Sequence, residues 1–211
     1  MAWKITLAVA LATRRHYQDG IEIPGWKEHD ARCGFPIHRL DLLRPEMAPP
    51  PANKLVSAWR YLTIDIPLRL KIVATVRRLI REHGIGVICI GELVSTAWLG
   101  EFCRRFFGVR MVLYVHGEEI TQRLGAGSFG RRRGEHLRGA DAVVAVSRFT
   151  RQALIEQMGV RPERICLIEN GVDTRRFSPG PDDTAFRSKF GLGHKRLVVA
   201  VGRLVPRKGF D

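Results

Sequence analysis

The chain has 211 residues, of which 45% are apolar and 27% charged, as in an ordinary soluble globular protein of one or two domains. No apolar run approaches the length of about 20 residues that spans a bilayer, so the sequence predicts no transmembrane helix. The formal net charge of +14 points to phosphorylated substrates, an anionic membrane surface or nucleic acid, unless arginine merely solvates the surface.

Two strands are predicted near the N-terminus. Residues 5–12 form an apolar run that we interpret as a strand rather than a signal peptide, because Arg14 and Arg15 follow without a small-residue cleavage site. Residues 37–42 show the alternation of a second, shorter strand, and a Pro-rich loop follows over residues 44–51. These segments predict the beginning of an α/β domain.

A long helical pattern covers residues 53–83. We expect it to break at residues 65–67, because Pro67 fits the first turn of a new helix. Beyond that point, apolar residues recur with helical spacing and basic residues lie mostly on the other face. Gly84 ends the pattern, as glycine does at the C-terminus of a helix.

Strand-like and helix-like segments alternate through the rest of the chain. The predicted strands are residues 87–90, 110–115, 142–146, 165–169 and 197–201, and the helices between them cover residues 93–107, part of 121–139, and 149–158. This alternation predicts a parallel, doubly wound sheet with helices on both faces. Cys89 and Cys166 fall within strands, where we expect them to act as small buried hydrophobes. The cysteines lack metal-ligand spacing, so no metal site is predicted.

One glycine-rich segment, residues 125–130, matches the pattern G-x-G-x-x-G. A dinucleotide-binding fingerprint needs a strand directly before it and a helix that opens from it. Here residues 120–124 precede the segment without strand character, and the basic run 131–133 follows it. We therefore interpret it as a mobile basic loop.

Polar side chains stand where the predicted parallel strands end. His116, Ser147, Asn170 and Arg203 follow four different strands. Because open α/β sheets bind ligands at the carboxyl ends of their strands, we expect these residues to converge. Arg203 offers a planar fork for phosphate oxygens, and Lys208, beyond a proline turn, offers a compact point charge.

Four motifs occur in order along the second half of the chain. They are Tyr-Val-His-Gly-Glu at 114–118, Val-Ser-Arg-Phe-Thr-Arg at 146–151, Ile-Glu-Asn-Gly-Val-Asp at 168–173 with Phe-Ser-Pro at 177–179, and Val-Gly-Arg-Leu at 201–204 with Lys-Gly at 208–209. Together they resemble glycosyltransferase family 4, a group of retaining, nucleotide-sugar-dependent enzymes of GT-B fold. The resemblance covers residues 111–211 well, and residues 1–110 agree only in general pattern.

The resemblance implies two Rossmann-like domains that face each other across a cleft, the first binding mainly the acceptor and the second the sugar nucleotide. His116 matches the family's active-site histidine, which lies near the transferred sugar. Cations in the donor site would stabilise the leaving diphosphate. The residues that match this donor diphosphate site are Gly202, Arg203 and Lys208. Further substrate-binding candidates are Gly117, Glu118, Ser147 and Asn170, although Ser147 is first a helix cap and Asn170 first a turn residue.

The resemblance also sets the expected domain organisation. Residues 1–177 correspond to the acceptor-side domain, residues 178–194 to a linker, and residues 195–211 to the start of a truncated donor-binding domain. The first 100 residues contain no Gly-Gly pair, which the family has after its first strand, and residues 5–12 resemble the family's second strand. The family's paired-glutamate motif would lie beyond Asp211. We therefore expect a fragment that is inactive alone.

The leading hypothesis is a hexosyltransferase-type fragment that moves a sugar from a nucleotide-diphosphate donor to an acceptor in cell-envelope, polysaccharide or lipid-linked glycan synthesis. No cofactor is expected beyond this co-substrate, and the expected location is cytoplasmic, with peripheral contact at the inner face of an anionic membrane. The alternative is a catalytically inactive domain that binds the acceptor or another ligand. Nucleic-acid binding rests on charge alone, and no recognition motif supports it.

Overall fold

The computed structural model describes residues 9–14, 22–41, 53–117, 120, 128–180, 184–202 and 209. Helices and strands alternate among them, as the sequence predicts. The strands are β1 (Ala10–Thr13), β2 (Ile37–Leu40), β3 (Val87–Ile90), β4 (Arg110–Val115), β5 (Ala142–Ala145) and β6 (Ile165–Leu167). The α-helices are α1 (Trp26–Arg32), α2 (Lys54–Arg60), α3 (Ile66–His83), α4 (Leu93–Phe107), α5 (Ser128–Gly139), α6 (Arg148–Glu156) and α7 (Thr184–Lys189).

All of the described strands pair in parallel. β1 and β2 form a two-stranded sheet, and β3, β4, β5 and β6 follow one another in chain order in a four-stranded sheet. Because each crossover in the larger sheet steps to the next strand in the same direction, right-handed connections place α4, α5 and α6 on one face. The predicted α/β class, with parallel strands and helices on both faces, is confirmed, but the described strands form two sheets.

The main core lies between the larger sheet and these three helices. Met111, Leu113 and Val115 of β4 are fully buried on one face, whereas of the alternate residues Val112 and Tyr114 are half-buried and Arg110 is exposed. Leu137 of α5 and Leu154 of α6 join the same cluster. In α4, Gly100 allows close approach to β4, because a Cβ atom there would lie 2.7 Å from the Met111 Sδ atom.

A second cluster links α3 and α4 to the smaller sheet. Ile72 of α3 and Cys103 of α4 are buried in it, and Leu11 of β1 and Leu40 of β2 pack against it. Burial raises the pKa of the Cys103 thiol to about 11, because the thiolate would lose its hydration. Ile88 packs against both clusters, so α3 and α4 connect the two sheets through side-chain contacts.

The prediction for two of the cysteines is wrong. Cys89 and Cys166 lie in β3 and β6 as expected, but both side chains are exposed. Successive side chains of a strand point to opposite faces, and the buried neighbours Ile90 and Ile165 occupy the core-facing positions. The apolar runs therefore predict the positions of these strands correctly, but the prediction that the two thiols are buried is wrong.

The helix predicted to break at residues 65–67 is continuous from Lys54 to His83. A π-helical turn, Tyr61–Asp65, joins α2 to α3. Pro67 has no backbone N–H, and in a regular α-helix its ring would meet the carbonyl of Thr63, so a widened turn accommodates it without ending the helix. Gly84, with φ 61°, caps the C-terminus as predicted.

Residues 128–130, predicted to belong to the glycine-rich loop, lie in a helix together with the basic run at residues 131–133. Residues 125–127 of the predicted loop lie outside the described residues, and α5 already begins at Ser128. Arg133 is 9% exposed and packs on the inner side of this helix. Glycine at position 130 did not prevent helix formation, because helical packing against α4 outweighs its modest propensity cost.

The chain divides into two compact units, Met1–Asn170 and Gly171–Asp211. The boundary predicted near residue 178 falls within the second unit, and the linker assignment stays a prediction. Residues 197–201, predicted as a buried strand, have no regular secondary structure, and Val198 is 99% exposed. No described strand pairs with this segment, so its backbone lacks the hydrogen-bond partners that a strand needs.

Among the residues described above, no helix combines the length and the apolar character needed to cross a bilayer.

Candidate functional site

The carboxyl ends of β4 and β5 meet at one edge of the larger sheet. Val115 pairs with Ala145 at the end of the β4–β5 ladder, so the residues that follow these two strands leave the sheet side by side. His116 and Gly117 follow β4, and Ser147 stands two residues after β5, at the start of α6. This is the edge at which the sequence predicts a ligand site.

His116 is exposed directly beyond β4. Its imidazole ring lies 5.0 Å from the Tyr114 ring, centroid to centroid, in a tilted arrangement. Gly117 then turns the chain with φ 102°, a conformation that residues with a Cβ atom rarely adopt. The Gly117 carbonyl accepts a hydrogen bond of 3.1 Å from the Ile120 amide, which fixes the turn. The imidazole is thus held at the sheet edge and open to a ligand.

The N-terminus of α6 packs against this turn. Ser147 caps the helix, and its Oγ atom accepts a hydrogen bond of 3.0 Å from the Thr150 amide. The hydroxyls of Ser147 and Thr150 are 2.9 Å apart. A Cβ atom on Gly117 would lie 3.0 Å from the Thr150 Oγ1 atom, and Thr150 is only 2% exposed. Gly117, Ser147 and Thr150 therefore form one contiguous group beside His116.

The structure describes only two of the other predicted site residues, Asn170 and Gly202. Asn170 is exposed and lies three residues beyond β6, after a hydrogen bond of 2.9 Å from the Ile168 amide to the Ala145 carbonyl. Gly202 is exposed in the second unit. Three predicted residues lie outside the described residues, namely Glu118, Arg203 and Lys208. The structure thus brings together His116, Gly117 and Ser147, and the donor-site assignment stays a prediction.

Comparison with known proteins identifies the family. Residues 6–176, most of the chain, match the family described as Glycosyltransferase Family 4. The chain belongs to glycosyltransferase family 4. This match includes His116, Gly117, Ser147 and Asn170, so the group at the sheet edge lies within the family 4 region.

Curated relatives of this family 4 chain include mycobacterial mannosyltransferases. A GDP-mannose-dependent α-(1-6)-phosphatidylinositol monomannoside mannosyltransferase of Mycolicibacterium smegmatis is 38% identical over 143 residues, which are 66% of this chain and 36% of the relative. A protein of the same name from Mycobacterium tuberculosis H37Rv is 36% identical over 138 residues, 64% of this chain and 35% of the relative. The matched part thus spans about a third of the length of these relatives.

Solved structures share the fold. The Anabaena protein HepE, crystallised with UDP-glucose, superposes with a TM-score of 0.65 at 18% identity, over 96% of this chain and 55% of that protein. A glycosyltransferase of Rickettsia africae gives a TM-score of 0.51 at 17% identity, over 89% of this chain and 50% of its own. These similarities confirm the predicted GT-B-type α/β fold of the family 4 chain.

The sequence analysis did not single out Glu92, which also lies at this edge of the family 4 chain. It is exposed two residues beyond β3, the strand next to β4, and its carbonyl accepts a hydrogen bond from the Thr96 hydroxyl. The same rule that indicated His116, a polar residue directly after a buried parallel strand, would have indicated Glu92.

Proposed function

We propose that the protein transfers a hexose from a nucleotide-diphosphate sugar to the hydroxyl of a glycan or lipid-linked acceptor. The observation that carries the proposal is the group formed by His116, Gly117 and Ser147 at the carboxyl edge of the sheet in a family 4 chain. The names of the mycobacterial relatives, which specify GDP-mannose and a phosphatidylinositol monomannoside, suggest the first donor and acceptor to test.

The donor would be held through its diphosphate by Arg203 and Lys208, with Gly202 allowing close approach of the backbone. During transfer, the bond between the anomeric carbon and the diphosphate oxygen breaks, the acceptor oxygen bonds to that carbon, and the acceptor proton passes to the leaving diphosphate, on which negative charge collects. A guanidinium and an ammonium group stabilise that charge more in the transition state than in the bound donor, which lowers the barrier. We assign a retaining outcome to the reaction on the family resemblance.

The acceptor would lie against the first unit. His116 would donate a hydrogen bond to a hydroxyl of the transferred sugar, and Gly117 would leave room for the sugar to approach the backbone. Glu118, Ser147 and Asn170 complete the substrate-binding candidates, although the Ser147 hydroxyl already serves as a helix cap. No metal and no cofactor beyond the nucleotide sugar is part of the proposal.

The proposal includes a cytoplasmic location with peripheral contact at an anionic membrane. The formal net charge of +14 supports attraction to acidic lipids, which would bring the protein to a lipid-linked acceptor. Nucleic acid is not among the proposed partners.

The test is transfer of labelled mannose from GDP-mannose to phosphatidylinositol monomannoside, with UDP-glucose as a second donor. If transfer is observed, His116→Ala should lower kcat by on the order of 100-fold, because a group that stabilises the transition state is lost. His194→Ala is the matched control, since His194 is an exposed histidine in the second unit, and it should leave kcat unchanged.

Donor binding is measured separately, because a transfer assay does not report on the donor site if residues 1–211 do not turn over by themselves. Arg203→Ala with Lys208→Ala should weaken the binding of GDP-mannose by about 10-fold or more, as expected when two charge-assisted contacts are lost. Saturable acceptor binding without any donor binding would favour the alternative, a catalytically inactive acceptor-binding domain. A His116→Ala variant with full activity would contradict the role of His116.

A further inference from the structure

The continuous helix from Lys54 to His83, formed by α2, the π-helical turn and α3, carries an apolar stripe on its outer side. Leu55 is 79% exposed, Trp59 68% and Leu62 58%, and their spacing of four and three residues places them on one face. Leu70, 63% exposed, continues the stripe beyond the π-helical turn. These four large apolar side chains form a continuous patch. Such patches mark interaction sites, whereas isolated exposed hydrophobic residues are common on any protein surface.

Farther along, the same outer side becomes basic. Arg77, Arg78 and Arg81 are exposed and, together with Ala74 and Glu82, line a shallow open depression. Opposite them, Ile72, Val76 and Leu79 are buried against the core, so these arginines point away from the body of the protein. The outer face therefore has an apolar half around Trp59 and a basic half around Arg78.

The charge of this helix indicates its partner. Residues 54–83 contain seven lysine and arginine residues but only two acidic residues, Asp65 and Glu82. A protein partner would need an apolar surface bordered by a dense acidic one. An anionic bilayer offers both chemistries over any area, since acidic headgroups lie directly above the acyl chains.

The apolar half is held to the protein by an arginine between two aromatic rings. The guanidinium carbon of Arg69 lies 5.7 Å from the centre of the Tyr61 ring and 4.8 Å from the centre of the Trp98 ring in α4. Contacts of this kind restrain the π-helical turn against α4. The stripe is thus presented at a defined angle rather than on a loosely attached segment.

We propose that the outer face of residues 54–83, which we call the docking face, binds the surface of an anionic lipid bilayer. Leu55, Trp59 and Leu62 enter the boundary between headgroups and acyl chains, while Arg77, Arg78 and Arg81 contact lipid phosphates. The helix lies along the plane of the interface, so that its apolar half reaches the acyl boundary and its basic half reaches the lipid phosphates. This inference rests on the membrane contact proposed above, and it identifies the docking face as the part of the protein that makes this contact.

The test is co-sedimentation of the full chain with vesicles of phosphatidylcholine containing about 30% phosphatidylglycerol, without donor or acceptor. The triple variant Leu55→Ser, Trp59→Ser, Leu62→Ser should lower the partition coefficient by about 10-fold or more. The triple variant Arg77→Gln, Arg78→Gln, Arg81→Gln should lower it on the order of 100-fold. All of these side chains are exposed, so both variants should retain the wild-type circular dichroism spectrum.

Two matched variants control for general loss of apolar surface or charge. Val172→Ser, Val198→Ser, Val201→Ser removes three exposed apolar side chains, and Arg161→Gln, Arg175→Gln, Arg176→Gln removes three exposed charges. The apolar control should bind vesicles as the wild type does, and the charge control should lose no more than about fivefold, from the lower net charge alone.

Trp59 is a built-in reporter of insertion. Anionic vesicles should shift the tryptophan emission to shorter wavelength, and this shift should disappear in Trp59→Phe. Full vesicle binding by the serine variant would overturn the proposal, as would self-association through this face with no vesicle binding. Because the assay contains no sugar substrate, it can fail while glycosyl transfer succeeds, and it can succeed while transfer fails.

Discussion

Gly117 is the single residue on which the geometry of the candidate site depends most. Its φ of 102° lies in a region that L side chains rarely adopt, and an added Cβ atom would approach the Thr150 Oγ1 atom to 3.0 Å. Thr150 has little room to move, because it is buried and its hydroxyl lies against the Ser147 hydroxyl. We expect Gly117→Ala to lower the free energy of unfolding by about 1–2 kcal/mol, measured by urea denaturation.

Gly171→Ala is the matched control for this substitution. Gly171 also follows a strand end of the first unit, but nothing lies within 4 Å of an added Cβ atom and its backbone is outside the positive-φ region. An equal loss of stability in the two variants would show that the turn at Gly117 carries no special strain.

Candidate site residues were predictable from the sequence only where they follow a clear strand. His116, Gly117 and Ser147 come after apolar runs, so the rule for parallel sheets places them at one edge, and the structure does so. The contact between Gly117 and Thr150 was not predictable, because it depends on how α6 packs against the end of β4. The prediction that Cys89 is buried was also wrong, because an apolar run does not indicate which of its residues face the core.

One ion pair, between Asp30 and Arg39, lies beside the smaller sheet. The Arg39 guanidinium donates hydrogen bonds of 2.8 Å and 2.7 Å to the two Asp30 carboxylate oxygens and one of 2.7 Å to the Thr13 carbonyl. This arrangement joins α1, β1 and β2. The hydrogen bonds from Arg39 hold the pKa of the Asp30 carboxyl below its usual value.

The lowered pKa sets the pH dependence of this contribution. The ionised form is favoured by folding, so the stabilisation is fully present above the ordinary aspartate pKa and is lost as the pH falls through the native pKa. We expect Asp30→Asn to be less stable than the wild type at pH 7, and the difference to shrink as the pH is lowered into the acid range. Urea denaturation of both proteins across that pH range measures the difference in their free energies of unfolding.

Asp41→Asn controls for the loss of a surface carboxylate. Asp41 pairs with Arg14 at 3.3 Å, but its side chain is 70% exposed, so this variant should keep nearly the wild-type stability at every pH. A gap between Asp30→Asn and the wild type that stays constant with pH would contradict the assigned role of the carboxylate charge.

Helices and strands were predictable as elements, and their ends and interruptions less so. Apolar periodicity indicated the helix of residues 53–83, but Pro67 suggested a break where the structure has the π-helical turn. A local rule for proline could not foresee this outcome, because contacts on both sides of the turn, including those of Arg69, stabilise the widened helix.

At the scale of the whole molecule, the hydrophobic core belongs to the first unit. Within the described part of the chain, every buried hydrophobic residue lies between Ile72 and Ile165. We therefore expect a chain that ends at Asn170 to unfold within about 3 °C of the midpoint of the full chain, as measured by thermal denaturation. A much larger loss would indicate that residues 171–211 contribute to the stability of this core.

A chain that ends at Arg161 is the comparison for this truncation. It lacks β6, which pairs with β5 from Val143 to Ala145, and it also lacks the buried side chain of Ile165. This shorter chain should unfold at a clearly lower temperature or lose its cooperative transition. If the two truncated chains behave alike, the last strand of the larger sheet is dispensable.

The overall class of the fold was predictable because alternation of short apolar strands with helices permits few arrangements. The separation of the described strands into two sheets was not predictable. Whether β1 or β2 pairs with a strand of the larger sheet depends on contacts between residues far apart in the sequence, which local patterns do not reveal. The prediction of a strand at residues 197–201 was wrong for the same reason. Strongly apolar sequence favours a strand only where another strand can pair with it.

The separation of the two sheets has a consequence for the behaviour of the protein at high concentration. Among the described strands, β3 forms an edge of the larger sheet, and its Val87 and Cys89 side chains are exposed. Such an edge can pair with the same edge of another copy. Mutual repulsion between molecules of net charge +14 opposes that encounter, and dissolved salt weakens the repulsion. The many arginines therefore also act as a colloidal stabiliser, whose strength depends on the ionic strength of the surroundings.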